Sequence, residues 1–296
     1  MNNIPSFLLS TIKDIGILKS IPLEDFSKLT NKRVKLSNML VNQFREKSIH
    51  TDKNFLFIHN ALKNTGIYVK KNYIKKTDIK KLKLFMEEKK PKNNVFNLKK
   101  IGEKFPFFPS NHLIKLINYL ACNDKNCVKK EYFDTVYQDL PLDLDNAQEL
   151  WHMDTFHPTL KYWITLSDWT LDSGPLEYCL KSNSFSNNFA EFYSHLILKN
   201  FDDNTLANFE LTEDRTKKAW KMLTLNGSPR CKTNEEFMDI AEEYGYKQTN
   251  KFISVVPSGT LILADTSGFH RRGIQNIHRG ALHGSIRFNP FGIENE

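Results

Sequence analysis

Trp151-His-Met-Asp-Thr-Phe-His157 contains a His-x-Asp pair. In an extended strand residues i and i+2 share a face, so His152 and Asp154 can aim an imidazole and a carboxylate at one point. A second histidine from another strand would complete a set of two histidines and one carboxylate. That set grips one face of a divalent iron ion and leaves positions open for a bidentate ligand and O2. The pair alone is a weak signal. His50-Thr51-Asp52 matches it equally, but it lies in a polar connection with nothing downstream placed to complete it. His50 is therefore read as structural or solvent-exposed.

What singles out His152 lies downstream. Thr260-Leu-Ile-Leu-Ala264 reads as an apolar strand, and Asp265-Thr-Ser-Gly-Phe-His270 runs on from its end. His270 then sits at the rim of a sheet, where a third metal ligand belongs. His278, in a loop beside Arg279, and His283, in mid-strand, are its rivals. In Arg279-Gly-Ala-Leu-His-Gly-Ser-Ile-Arg-Phe288, alternation puts Arg279, Ala281, His283, Ser285 and Arg287 on one face. Leu282, Ile286 and Phe288 take the other. A polar face inside a β-fold makes sense when the interior is a site. A guanidinium there can hold a carboxylate through two parallel hydrogen bonds. Arg279 is the first candidate for this and Arg287 the alternate.

The elements that must position these residues follow from the patterning. Residues 22–47, Thr77–Glu88 and His112–Ala121 carry helical spacing, and Gly66–Val69 reads as a short strand. From about residue 130, short β-rich runs alternate with turn residues: Lys161–Ser167, Pro175–Leu180, Lys251–Val256, Thr260–Ala264 and Arg279–Phe288. A helical insertion over about 187–245 divides them. It contains Thr233–Tyr244, where Thr233 can cap and Glu236 occupies the reciprocal position. The expected architecture is mainly β with flanking helices: a double-stranded β-helix, or jelly roll, in one domain over 1–296. Residues 1–125 form a mostly helical N-terminal part, and 130–292 form the core.

Composition bounds the function. Of 296 residues, 40% are hydrophobic and 26% charged, and 22 Phe argue for a real core against disorder. No run approaches the roughly 18 apolar residues of a membrane span, and no signal peptide is read, so the chain is placed in the cytoplasm. Cys122, Cys127, Cys179 and Cys231 are scattered without a CxxC pair, which reads as reduced thiols rather than a zinc site. The net charge of +8 comes largely from lysine pairs between residues 70 and 100. With no nucleic-acid motif, these read as a solvated basic face.

The stretches WHMDTFHPTLKYWITLSDWTLDSGPLEYCLKSNS, NGSPRCKTNEEF, SGTLILADTSGFHRRG and HRGALHGSIRFNPFG resemble, in order, those of the phytanoyl-CoA dioxygenase-like family, its bacterial members above all. They cover roughly 150–292. A weaker likeness covers 62–88. The resemblance implies a double-stranded β-helix with iron(II), 2-oxoglutarate and O2 as cofactor and cosubstrates. His152, Asp154 and His270 match the family's iron ligands, Arg279 its 2-oxoglutarate arginine, and Trp163 a position that often flanks the cosubstrate. A core aromatic is an equally good reading of Trp163. The implied reaction oxidises a small-molecule substrate with release of succinate and CO2. Retention of Asp154 implies hydroxylation or a related oxidation and argues against halogenation, because related halogenases replace this carboxylate with a small residue.

Two departures stand out. The loop from His270 to Arg279 is shorter than in close relatives. Leu180-Lys-Ser-Asn183 stands where relatives often have Pro-Gly-Ser-His. The substrate is not legible. The insertion, with Arg215, Lys217, Lys218 and Arg230, is the expected specificity region. Arg230 is the candidate to hold an anionic substrate group, and a structural salt bridge is the stronger competing reading of it. The competing readings are a catalytically silent jelly roll that binds a sugar or lipid, and a zinc hydrolase. The first is opposed by the complete residue set. The second lacks an assignable general base.

Overall fold

A computed structural model describes residues 53–89, 95–97, 136–138, 148–154, 159–183, 192, 196, 231, 233–247, 250–277 and 279–287. The expected helices at 22–47 and 112–121 lie outside them, as do His50, His278, Arg230 and most of the insertion.

Alternating β-rich sequence gives nine described strands: β1 (Ile67–Lys70), β2 (Val95–Asn97), β3 (Val136–Gln138), β4 (Thr159–Thr165), β5 (Leu176–Cys179), β6 (Lys251–Ile253), β7 (Leu261–Asp265), β8 (His270–Arg272) and β9 (Ala281–Arg287). Three helices are described: α1 (Lys53–Thr65), α2 (Lys76–Lys89) and α3 (Asn234–Glu243). The strands form a six-stranded sheet in the order β1-β7-β4-β9-β3-β2 and a three-stranded sheet in the order β6-β5-β8. Every strand pair is antiparallel. The chain thus has the mainly β, jelly-roll architecture expected, with helices outside.

The register fixes which residues face inward. Trp163 on β4 lies opposite Ile262 on β7 and His283 on β9. Two residues earlier, Lys161 lies opposite Ala264. Directly paired residues share a face, so Lys161, Trp163, Ile262, Ala264 and His283 line one side of the large sheet. Trp163, Ile262, Ala264, Ala281 and Ile67 pack there against Leu176 and Tyr178 of the small sheet, with Trp169 and Val256 completing the cluster. Each large apolar side chain buried in it contributes about 1.5–3 kcal/mol.

The other face of β7 and β4 is covered too: Leu261, Leu263, Tyr162 and Ile164 are all buried. Helix α1 packs beside β1 and β7. Its buried residues Phe55, Ile58, His59 and Leu62 recur at helical spacing. Helix α3 starts where expected: the Thr233 hydroxyl accepts the Glu236 backbone N–H at 3.1 Å. No described helix is long and apolar enough to cross a membrane. Cys179 and Cys231 are buried thiols. Burial pushes the Cys179 thiol up to about 11, which keeps it unreactive.

Candidate metal centre

The His-x-Asp segment is pinned to the strand carrying the second histidine. The His152 N–H donates to the His270 carbonyl at 3.0 Å, and the His270 N–H donates back at 2.9 Å. The Asp154 N–H donates to the Thr266 carbonyl at 2.8 Å. This isolated antiparallel bridge extends the small sheet past β8 and places both imidazoles on one side, with ring centroids 4.4 Å apart. One ligand atom from each of His152, Asp154 and His270 lies within 4.8 Å of the others, and all three residues are buried. The structure therefore brings together the three residues that spacing and strand order had singled out.

The donor set suits a divalent ion. His152 Nδ1 lies 2.7 Å from the Leu150 carbonyl, and His270 Nδ1 lies 2.9 Å from the Gly268 carbonyl. A carbonyl only accepts, so each Nδ1 carries the proton and each Nε2 presents a lone pair. The His270 Nε2 is 3.8 Å from Asp154 Oδ1. Burial, then the neighbouring His270, holds His152 well below the usual imidazole range, so its ring is neutral, as metal ligation requires. Burial opposes ionisation of Asp154. The Lys161 ammonium, 2.7 Å from Oδ2, overcomes it and holds the carboxyl well below its usual range.

Gly268 matters to this geometry. A Cβ there would overlap the Tyr178 hydroxyl and come 2.8 Å from Ser182 Oγ. Tyr178 is fully buried, donates to the Asp265 carbonyl at 2.7 Å, and pairs with His270 across β5 and β8. The turn ahead of His270 thus fits against Tyr178 only because residue 268 has no side chain.

A charged cluster holds the same junction from outside. The Arg271 guanidinium lies over the Trp151 ring at 5.2 Å and the Lys251 ammonium at 5.8 Å. Both cations pair with Glu177, Arg271 through Nε at 2.8 Å. Asn234, the first residue of α3, accepts the Trp151 N–H at 2.7 Å and donates to the Glu149 carbonyl at 3.2 Å. The start of α3 is thereby tied to the strand that carries His152.

Arg279 sits just before β9 and is buried. Its guanidinium lies over the Trp169 ring at 4.7 Å and donates through one terminal nitrogen to the Gly174 carbonyl. Its Nε has no hydrogen-bond partner. No carboxylate among the described residues pairs with it. Burial, with the nearby Arg272 cation, pulls its pKa down to about 9, which marks a charge held in an unfavourable place. Arg272 itself reaches Glu149 at 3.3 Å. A buried cation without a counter-ion is suited to receiving an anion.

His283, the mid-strand rival, faces Trp163 at 5.7 Å between ring centroids and is not one of the three residues that meet. Burial and the Lys161 cation lower it to about 4; the Asp154 and Arg279 charges act on it as well. One inward face therefore runs from the triad past Lys161 and His283 toward Arg279. Trp163 belongs to the core cluster and also meets His283, which is the core-aromatic reading of it. The backbone of Arg287 is placed on β9, but its side chain lies outside what is described.

Sequence reasoning missed Lys161, Trp169 and the Glu177 cluster. Strand alternation held the signal for the first, since Lys161 is two residues from Trp163.

No protein-family model matches this chain, and no curated protein matches it. Among solved structures, the non-haem alpha-ketoglutarate-dependent epimerase SnoN from nogalamycin biosynthesis is similar over 78% of this chain and 82% of its own. The identity is 10% and the TM-score 0.42. HygX from Streptomyces hygroscopicus with iron bound is similar over 79% of this chain and 85% of its own, at 12% identity and TM-score 0.36. EctD from S. alaskensis, with 2-oxoglutarate and 5-hydroxyectoine, is similar over 79% of this chain and 78% of its own, at 12% identity and TM-score 0.43. The ligands and reactions named are those proteins' own.

Proposed function

We propose that this chain is an iron(II)- and 2-oxoglutarate-dependent oxygenase that hydroxylates a small molecule. The carrying observation is the buried triad of His152, Asp154 and His270, with both Nδ1 atoms committed to carbonyls and the His270 Nε2 3.8 Å from the carboxylate. In this reading those three residues hold iron. Arg279 holds the distal carboxylate of 2-oxoglutarate, which would supply its missing counter-ion. Trp163 and Trp169 wall the pocket and exclude water. The ordered motifs across 150–292 support membership of the phytanoyl-CoA dioxygenase-like family.

When bound, iron(II) and the cosubstrate supply the oxidising chemistry, and O2 is split between succinate and the hydroxylated product with loss of CO2. The chain's own part is geometric. The His152–His270 bridge orients two neutral donors. Asp154 stays ionised and supplies the negative ligand. The Arg279 guanidinium, stacked on Trp169, fixes one end of a dicarboxylate so that its other end is delivered toward the metal.

The test is anaerobic addition of iron(II) and 2-oxoglutarate to purified protein. The expected result is a weak visible metal-to-ligand charge-transfer band. Asp154→Ala abolishes it, and Arg279→Ala raises the 2-oxoglutarate concentration needed by roughly tenfold or more. No band from the wild type, or unchanged titrations in both variants, overturns the assignment.

A further inference from the structure

Lys161 is the least expected residue of the site. It projects from β4 onto the inward face shared by Trp163, Ala264 and His283. Its side chain is only 16% exposed, and its Nζ lies 2.7 Å from Asp154 Oδ2. The bland role for such a lysine is that of counter-ion to Asp154.

Charge balance argues for more. The charges that act on His283, on this same inward face, are two cations, Lys161 and Arg279, and one anion, Asp154. A divalent ion seated on Asp154 draws on the same carboxylate that Lys161 touches. One carboxylate cannot offset both an ammonium and a divalent ion in a buried site. A dicarboxylate held at the metal and at Arg279 still leaves one positive charge in excess. The ammonium is then available to an anionic oxygen beside the metal.

Resting on the reading above, we propose that Lys161 is an anion-holding residue of this site, shared between Asp154 and a carboxylate of the bound ligand. Two ligands could bring that carboxylate: the keto-acid end of 2-oxoglutarate, or an acidic substrate.

The experiment compares wild type with Lys161→Met, Lys161→Gln and Lys161→Arg. Circular dichroism first establishes that each variant is folded. Co(II) affinity is measured next. N-oxalylglycine, an inert cosubstrate analogue, is then titrated onto the Co(II)-loaded protein, followed by acetate and by inorganic phosphate, and the visible Co(II) spectrum is monitored. Lys161→Met and Lys161→Gln should bind Co(II) at least as tightly as wild type, because the ion no longer shares Asp154.

If the cosubstrate is the source, these variants bind N-oxalylglycine roughly tenfold more weakly, and Lys161→Arg restores most of the loss. If an acidic substrate is the source, N-oxalylglycine affinity holds. Acetate or phosphate then perturbs the wild-type ternary spectrum but not that of the uncharged variants. Unchanged responses to all three anions overturn the proposal and leave Lys161 as the counter-ion of Asp154. Parallel loss of Co(II) and anions in folded Met and Gln variants also overturns it. Wild type that takes up neither Co(II) nor N-oxalylglycine sinks the oxygenase reading instead.

Discussion

At the scale of single residues, burial holds the His152 and His283 imidazoles in the neutral form. His283 is lowered to about 4 by burial and by Lys161. An unfolded chain binds that proton near the ordinary value of about 6.5. Between those two values the unfolded state is protonated and the folded state is not, so stability falls as pH drops through the window. His152, also lowered, acts in the same direction. In protein stripped of divalent ions, thermal melts should lose on the order of 1–2 kcal/mol of stability between pH 7 and pH 5. His283→Gln should flatten the slope, and an equal slope in the variant would refute the attribution.

Gly268→Ala is a second residue-scale prediction. The added methyl meets Tyr178 and Ser182, and neither can retreat from the core. A cost of roughly 1–3 kcal/mol, read as a lower denaturation midpoint, is expected, with weaker Co(II) binding because the turn carrying His270 must shift. At this scale spacing in the sequence pointed to the three residues that the structure brings together. It hid Lys161, because a lysine in an alternating strand ordinarily faces water.

At the scale of elements, the metal site is a junction between the His152 segment and β8. The Glu177 cluster with Arg271, Lys251 and Trp151 braces that junction. Glu177→Gln keeps the volume but leaves two cations facing one another over Trp151. Melting should occur several degrees lower, and Co(II) affinity should fall about tenfold, as for other groups that support metal ligands. Retained affinity would show that the backbone bridge alone positions the histidines.

The strands that could be read in the sequence were those with alternation or continuous apolar runs. Lys161–Ser167, Pro175–Leu180 and Thr260–Ala264 correspond to β4, β5 and β7 within a few residues. β8 could not be read, since His270-Arg-Arg272 has three polar residues and exists through pairing to β5 and to His152. α1 was legible but overlooked: Phe55, Ile58, His59 and Leu62 follow helical spacing behind a polar stretch.

At the scale of the whole molecule, the three candidate ligands come from segments more than a hundred residues apart in sequence, joined by only a few backbone hydrogen bonds. An ion bound to all three therefore links the two halves of the core, and the unfolded chain has no comparable site. Binding to the folded state alone stabilises it by about 2.7 kcal/mol at a hundredfold excess over Kd. For a chain of this size that corresponds to roughly 4–5 °C in melting temperature. Co(II) or Ni(II) should raise the melting temperature of chelator-treated wild type by that order, and Asp154→Asn should remove most of the rise. 2-Oxoglutarate should add a further increase only when both the metal and Arg279 are present, because the proposed anion site spans the pocket from the triad to the guanidinium. An equal effect of 2-oxoglutarate without metal would place its binding elsewhere and break the link between the two ends of the site.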